Sequence, residues 1–252
     1  MTQSGHGIAV ADGDAEAARR AARPESNRNR SIVADALKQM VLVIISLGFA
    51  NAVQILAEPG KTAENGPHVV EWICLPANKS CHGFALDDLL IFAIYVLVGA
   101  RFLLTNWLYL STTYREDSPK DLKILPDAIG IFLTGVVIGV QSSYVTAKSG
   151  SPIADFFLLF CLILSVDGVF SVISLAVNCS VLDYDDRAQE WRWLRNNVFF
   201  GILSLALVFW RPPLEPSSWR VYALIFLAFL NCLMSFHATY RGYFEPTRHI
   251  RR

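Results

Sequence analysis

The chain has 252 residues, of which 53% are hydrophobic and only 17% charged, and it carries no net charge. A soluble domain has about 45–50% apolar and ~25% charged residues, so the apolar runs leave no segment able to build a sizeable water-soluble core. Zero net charge also excludes the broad basic field of a nucleic-acid binder.

Residues 1–30 are rich in Ala, Gly, Arg and Glu and have almost no large apolar side chains. Such a stretch buries too little surface to offset its ordering entropy, so a disordered cytoplasmic tail is expected. Arg19, Arg20, Arg23, Arg28 and Arg30 then act as an orientation signal, with anionic lipid or a soluble protein as alternative contacts.

Six apolar runs follow, at about 32–56, 86–110, 126–147, 151–178, 193–210 and 219–240. A bilayer requires ~20 residues per helical span, and only the fifth run is clearly short. The first run carries Ala50-Asn51-Ala52, which mimics a signal-peptide cleavage site. It is too long for a signal h-region and lies too far from the start, so an uncleaved helix is expected. The predicted fold is therefore all-α: a polytopic membrane bundle over 31–240 with six transmembrane helices and a basic tail at 241–252.

Helix boundaries agree with this division. Pro126 and Pro152 fall where first turns begin, with Ser151 as an N-cap. Trp107, Trp191, Trp193, Trp210 and Trp219 lie near predicted ends, as an interfacial aromatic belt requires. With the N-terminus inside, inner segments hold 16 of the 22 Lys and Arg residues and outer loops hold five. That bias predicts cytoplasmic N- and C-termini in a cell membrane, with a bacterial inner membrane as the expected setting.

The longest connection, 57–85, contains Cys74 and Cys81 on either side of a Leu-Pro-Ala-Asn-Lys-Ser turn. The β-prone His68–Leu75 stretch before it predicts a short hairpin closed by a Cys74–Cys81 disulfide on an oxidising outer face. Adding His68 and His82 would give a Cys2His2 zinc site, but the spacing fits no standard pattern, and no metal or cofactor is expected.

Two charges stand inside spans. Arg101 and Asp167 each lie about 15 residues past the start of an outside-to-inside run, which places them at similar depth. A carboxylate at the bilayer centre costs roughly 2.5–3.5 kcal/mol on insertion scales, so it requires a partner, a proton or a water path. An Arg101–Asp167 ion pair is expected, acting either as a register lock or as a gate. Inward from Arg101, Thr105 and Thr112 share a helical face; inward from Asp167, so do Ser171, Ser174 and Asn178. These form a candidate polar pathway.

Asn51, Gln54, Asp87, Asp88, Gln141 and Asp155 cluster at outer helix ends and form a candidate hydrated vestibule of negative potential. The carboxylates also suit the positive ends of helix dipoles without any further role. Gly135, Gly139 and Ser143 make a small-residue seam for close helix approach, within one chain or between chains. Asp186 and Gln189 read as the capping box of a short interfacial helix carrying Trp191 and Trp193.

The chain lacks a phosphate-binding Gly-rich loop, HExxH and GxSxG, and no enzyme activity is expected. The expected function is an oligomeric channel or conduit for cations or small solutes, in contact with membrane lipid. The alternative is a non-catalytic sensor or assembly subunit that recruits a soluble partner through its cytoplasmic tails.

Overall fold

A computed structural model describes residues 32–56, 68–70, 84–113, 124–146, 151–177, 184–210, 214–215 and 218–244. Six helices account for nearly all of them. They are α1 (Ile32–Leu56), α2 (Leu86–Thr113), α3 (Ile124–Gln141), α4 (Ser151–Val177), α5 (Tyr184–Phe209) and α6 (Trp219–Phe244). A 3₁₀ turn, Ser142–Tyr144, continues α3. Strands β1 (His68–Val70) and β2 (Phe84–Ala85) form a small antiparallel pair in which His68 lies opposite Ala85 and Val70 opposite Phe84. The expected β-prone stretch thus pairs with the residues that lead into α2. Cys74, Cys81 and His82 lie outside the described residues.

Five of the helices, α1 to α4 and α6, are long and apolar enough to cross a membrane. Their outward faces are apolar in mid-helix, as at Phe132, Leu162, Val169, Val172, Phe226 and Phe229. Helices that are hydrophobic on the outside as well as within suit lipid as solvent, and these features are those of a multi-pass membrane protein.

Helix α5 departs from the expectation. The sequence predicts a short interfacial helix capped at Asp186 ahead of the fifth run, but Tyr184–Phe209 is one continuous helix. Gln189 and Glu190 are buried, so Gln189 belongs to the packed interior and not to a surface capping box. Trp191 stays exposed, whereas Trp193, two residues and about 200° round the helix, turns inward. The apolar exposed part of α5 runs only from Val198 to Trp210, about 20 Å at 1.5 Å per residue.

Helices α2 to α6 form a closed ring, with contacts in the order α2, α3, α4, α5, α6 and back to α2. The α4–α5, α3–α4 and α5–α6 contacts are extensive, and the α2–α3 seam is the thinnest. Helix α1 packs outside that seam. A Cβ built on Gly48 would reach Gly139 Cα at 3.6 Å, and one on Gly135 would meet Ile44 at 3.2 Å. The small-residue seam of α3 therefore serves packing within the chain, where it lets α1 approach closely. Asn51 Nδ2 secures the outer end by donating to Ser142 Oγ at 2.8 Å. At the other end Lys38 lies over the Trp107 ring of α2 at 5.7 Å.

The half of the ring that holds the starts of α2, α4 and α6 is filled by apolar side chains. Phe156, Phe157 and Phe160 of α4, Ile91 and Val98 of α2, Ile138 of α3 and Leu224 of α6 are fully buried. The inner half is where the polar residues converge.

Candidate functional site: a polar cleft inside the ring

Arg101 and Asp167 meet. Arg101 Nη2 donates to Asp167 Oδ2 at 2.9 Å, with the Arg101 side chain 8% and the Asp167 side chain 25% exposed. Two further helices join them. Thr134 Oγ1 of α3 donates to the other carboxylate oxygen, Asp167 Oδ1, at 3.1 Å. Asn197 Oδ1 of α5 accepts a second bond from Arg101 Nη2 at 3.1 Å. One ion pair thus ties together α2, α3, α4 and α5. Neutral hydrogen bonds on both sides distribute its charge, which a pair in low dielectric requires if it is not to destabilise the fold.

A cleft of about 110 Å³ extends inward from this cluster, large enough for several water molecules. All five ring helices line it: α2 through Thr105 and Tyr109, α3 through Asp127 and Gly130, α4 through Ser171 and Ser174, α5 through Glu190 and Trp193, and α6 through Ser235. From Arg101 to Tyr109 the cleft runs eight residues of α2, about 12 Å. Tyr109 Oη donates to Asp127 Oδ2 at 2.8 Å at its inner end.

Two cleft groups lack protein partners among the described residues. Thr105 Oγ1 and Trp193 Nε1 are both buried and make no hydrogen bond. The indole N–H can only donate, and the hydroxyl can donate or accept. Their natural complement is water or a small solute bearing an acceptor atom.

The candidate pathway residues Thr105, Ser171 and Ser174 all reach this cleft. The Thr112 side chain and Asn178 lie outside the described residues. The outer set does not form one vestibule. Asn51 is committed to Ser142 and Ser143, and Gln141 Nε2 donates to the Phe156 carbonyl at 3.1 Å. Gln54 is exposed, Asp87 and Asp88 are buried at the start of α2, and Asp155 is half-buried near the start of α4. Asn51 and Gln141 instead pin α1 to α3 and α3 to α4.

Sequence reasoning missed Thr134, Asp127, Glu190, Trp193 and Asn197. Asp127 and Thr134 are seven apart on α3, so they share one face, and that spacing was available as a signal. Among the described residues no three His, Cys, Asp or Glu side chains gather as a metal site, and Cys161 and Cys232 are buried free thiols. Compared with family models, with curated proteins and with solved structures, the chain matches none.

Proposed function

We propose that this membrane protein is a conduit for a small polar solute, with the pathway running inside the helix ring of a single chain and gated at the Arg101–Asp167 pair. The observation that carries this reading is the cleft itself. It is lined by all five ring helices, each of which contributes a polar side chain, and it ends on an ion pair deep in the bundle. Ionisable side chains inside a membrane face the bundle interior or a water-filled cavity, pair with one another and mark solute or ion pathways. Outward of the pair the ring is filled by aromatic and branched side chains, so the described conformation is closed on that side.

In this reading α5 is the sixth span. Its exposed Arg195 snorkels toward the headgroups, and the bilayer thins to meet its short apolar face. Both termini lie in the cytoplasm, as the Lys and Arg distribution favours. The cleft then opens toward the cytoplasm.

Reconstitution into liposomes tests the proposal. Osmotic shrinkage followed by light scattering reads uptake of water, urea or glycerol, and ion-sensitive dyes read cations. The expected result is uptake above that of empty vesicles, altered by Asp167→Asn. Uptake equal to empty vesicles for every solute would sink the reading.

A further inference from the structure

Beyond the cleft, unpartnered polar atoms gather where α5 meets α6. Asn231 of α6 is 0% exposed, and neither its Oδ1 nor its Nδ2 has a hydrogen-bond partner among the described residues. Asn196 of α5 faces it. Asn196 Nδ2 donates to the Asn231 carbonyl at 3.3 Å and to Ser235 Oγ at 2.9 Å, while its Oδ1 accepts nothing. Ser204 lies eight residues further along α5, about 12 Å outward, and its buried Oγ is also unpaired. The same holds for Ser218 Oγ, just before α6 begins. With Trp193 Nε1 in the cleft, these atoms stand at several levels of α5 and α6, and Asn196, Asn231 and Ser235 meet directly.

The α3–α4 side differs at the same depth. Between the Thr134–Asp167 and Gln141–Phe156 ties, the inward side chains are Ile138, Phe157, Phe160 and Leu164, all 0–1% exposed. Between those two ties that side presents no polar side chain, and Gln141 Oε1 at its end is the unpaired buried atom there.

A buried amide left without partners is costly, and native structures meet such groups with ordered water. Asn231 requires an acceptor for Nδ2 and a donor for Oδ1, and water supplies both. A bare cation would satisfy only the oxygen. It would also stand close to Arg101, which is bonded to Asn197, the next residue after Asn196. The seam communicates with the cleft through Ser235, which lines the cleft and accepts from Asn196.

We infer that the route past the Arg101–Asp167 pair is a file of water along the α5–α6 seam, entered from the cleft at Ser235, so that the conduit takes water and uncharged solutes of similar size. This inference rests on the proposed conduit and names its route and its solute class.

Two native cysteines provide the test. Cys232 follows Asn231 directly on α6 and is 1% exposed, while Cys161, 2% exposed, is held against the Gly201 carbonyl between α4 and α5. Bulk access is therefore the same for both. Radiolytic hydroxyl-radical footprinting of the full chain in lipid nanodiscs labels side chains next to internal water. The expected result is that Cys232 oxidises several-fold faster than Cys161. Asn231→Leu, which removes an unpaired amide from an apolar setting, should lower Cys232 to the Cys161 rate. Equal rates in the unaltered protein, or no change in Asn231→Leu, would overturn the inference. Tyr109 and Phe170 report the cleft separately. If they label while Cys232 does not, the route is wrong and the hydrated cleft stands; if neither labels, both fail.

Discussion

Thr134 and Asp167 are joined on the side of the carboxylate that Arg101 leaves free: Thr134 Oγ1 donates to Oδ1 at 3.1 Å, while Oδ2 receives the guanidinium at 2.9 Å. Asp167 therefore has a charged partner and a neutral one on different helices. A carboxylate held from both sides cannot follow one helix without straining the other, which makes the pair a junction between α2, α3 and α4.

Removing the neutral partner should weaken that junction without breaking it. Thr134→Val keeps the volume and deletes the hydroxyl. Hydrogen bonds to charged groups contribute about 1.5–3 kcal/mol, and the partial exposure of the Asp167 carboxylate lowers that figure, so a loss of about 1–2 kcal/mol is expected. Unfolding in mixed micelles measures it. A stability equal to the unaltered protein would mean that Thr134 and Asp167 do not hold each other.

The charged partners should be far more sensitive singly than together. Arg101→Ala or Asp167→Ala leaves an uncompensated charge in the ring, a change that costs about 3–5 kcal/mol for buried pairs. The double exchange Arg101→Asp with Asp167→Arg should recover much of the folded yield, read by monodispersity in detergent. Recovery will be incomplete because Asn197 and Thr134 are oriented for the native arrangement. A double exchange as damaging as either single change would argue that the two side chains act separately.

The attachment of α1 rests on less. Asn51 Nδ2 reaches Ser142 Oγ at 2.8 Å and Ser143 Oγ at 3.3 Å, and Lys38 over Trp107, the Phe49–Phe92 ring pair and close contacts at Gly48 and Gly135 add to them. Interhelical hydrogen bonds in membranes average about 0.6 kcal/mol, so Asn51→Leu should cost about that amount. Limited proteolysis should then cut near α1 sooner than elsewhere. Unaltered proteolysis would show that packing at Gly48 and Gly139 is enough.

The Cys74–Cys81 bridge is expected from the sequence and lies on a segment flanked by the β1–β2 pair. Alkylation of the denatured, unreduced protein should modify Cys161, Cys179 and Cys232, and prior reduction should add Cys74 and Cys81. Mass spectrometry reads the difference. Modification of all five cysteines without reduction would rule the bridge out.

Much of the ring was legible in the sequence because lipid imposes simple rules. Runs of about 20 apolar residues fix helices. Two charges at equal offsets in runs of the same direction fix a depth, and that depth alone brings Arg101 to Asp167. Helix α5 was not legible in the same way. Its first half, from Tyr184 to Asn197, is as polar as a surface segment, and only the ring around it explains why Gln189, Glu190, Asn196 and Asn197 are buried. A single hydroxyl such as Thr134 carries no signal in a run of aliphatic residues until the facing helix is known.

Two glycines of α3 should respond in opposite ways to the same change. A Cβ on Gly130 would sit 2.6 Å from the Phe170 ring, which lines the cleft, whereas a Cβ on Gly139 would meet nothing within 4 Å. Gly130→Ala forces the ring to shift into the cleft or pushes α3 away from α4, and overpacking of this kind costs about 1–3 kcal/mol. Gly139→Ala adds only helix propensity, worth up to about 1 kcal/mol in water and less where the helix is already held by its neighbours. Destabilisation by the first with none by the second, both read by unfolding in mixed micelles, is the expected pattern. If the shifted ring narrows the cleft, Gly130→Ala should also slow solute uptake while Gly139→Ala leaves it unchanged. Equal effects from the two alanines would mean that the α3–α4 contact at Phe170 is looser than the packing around it indicates.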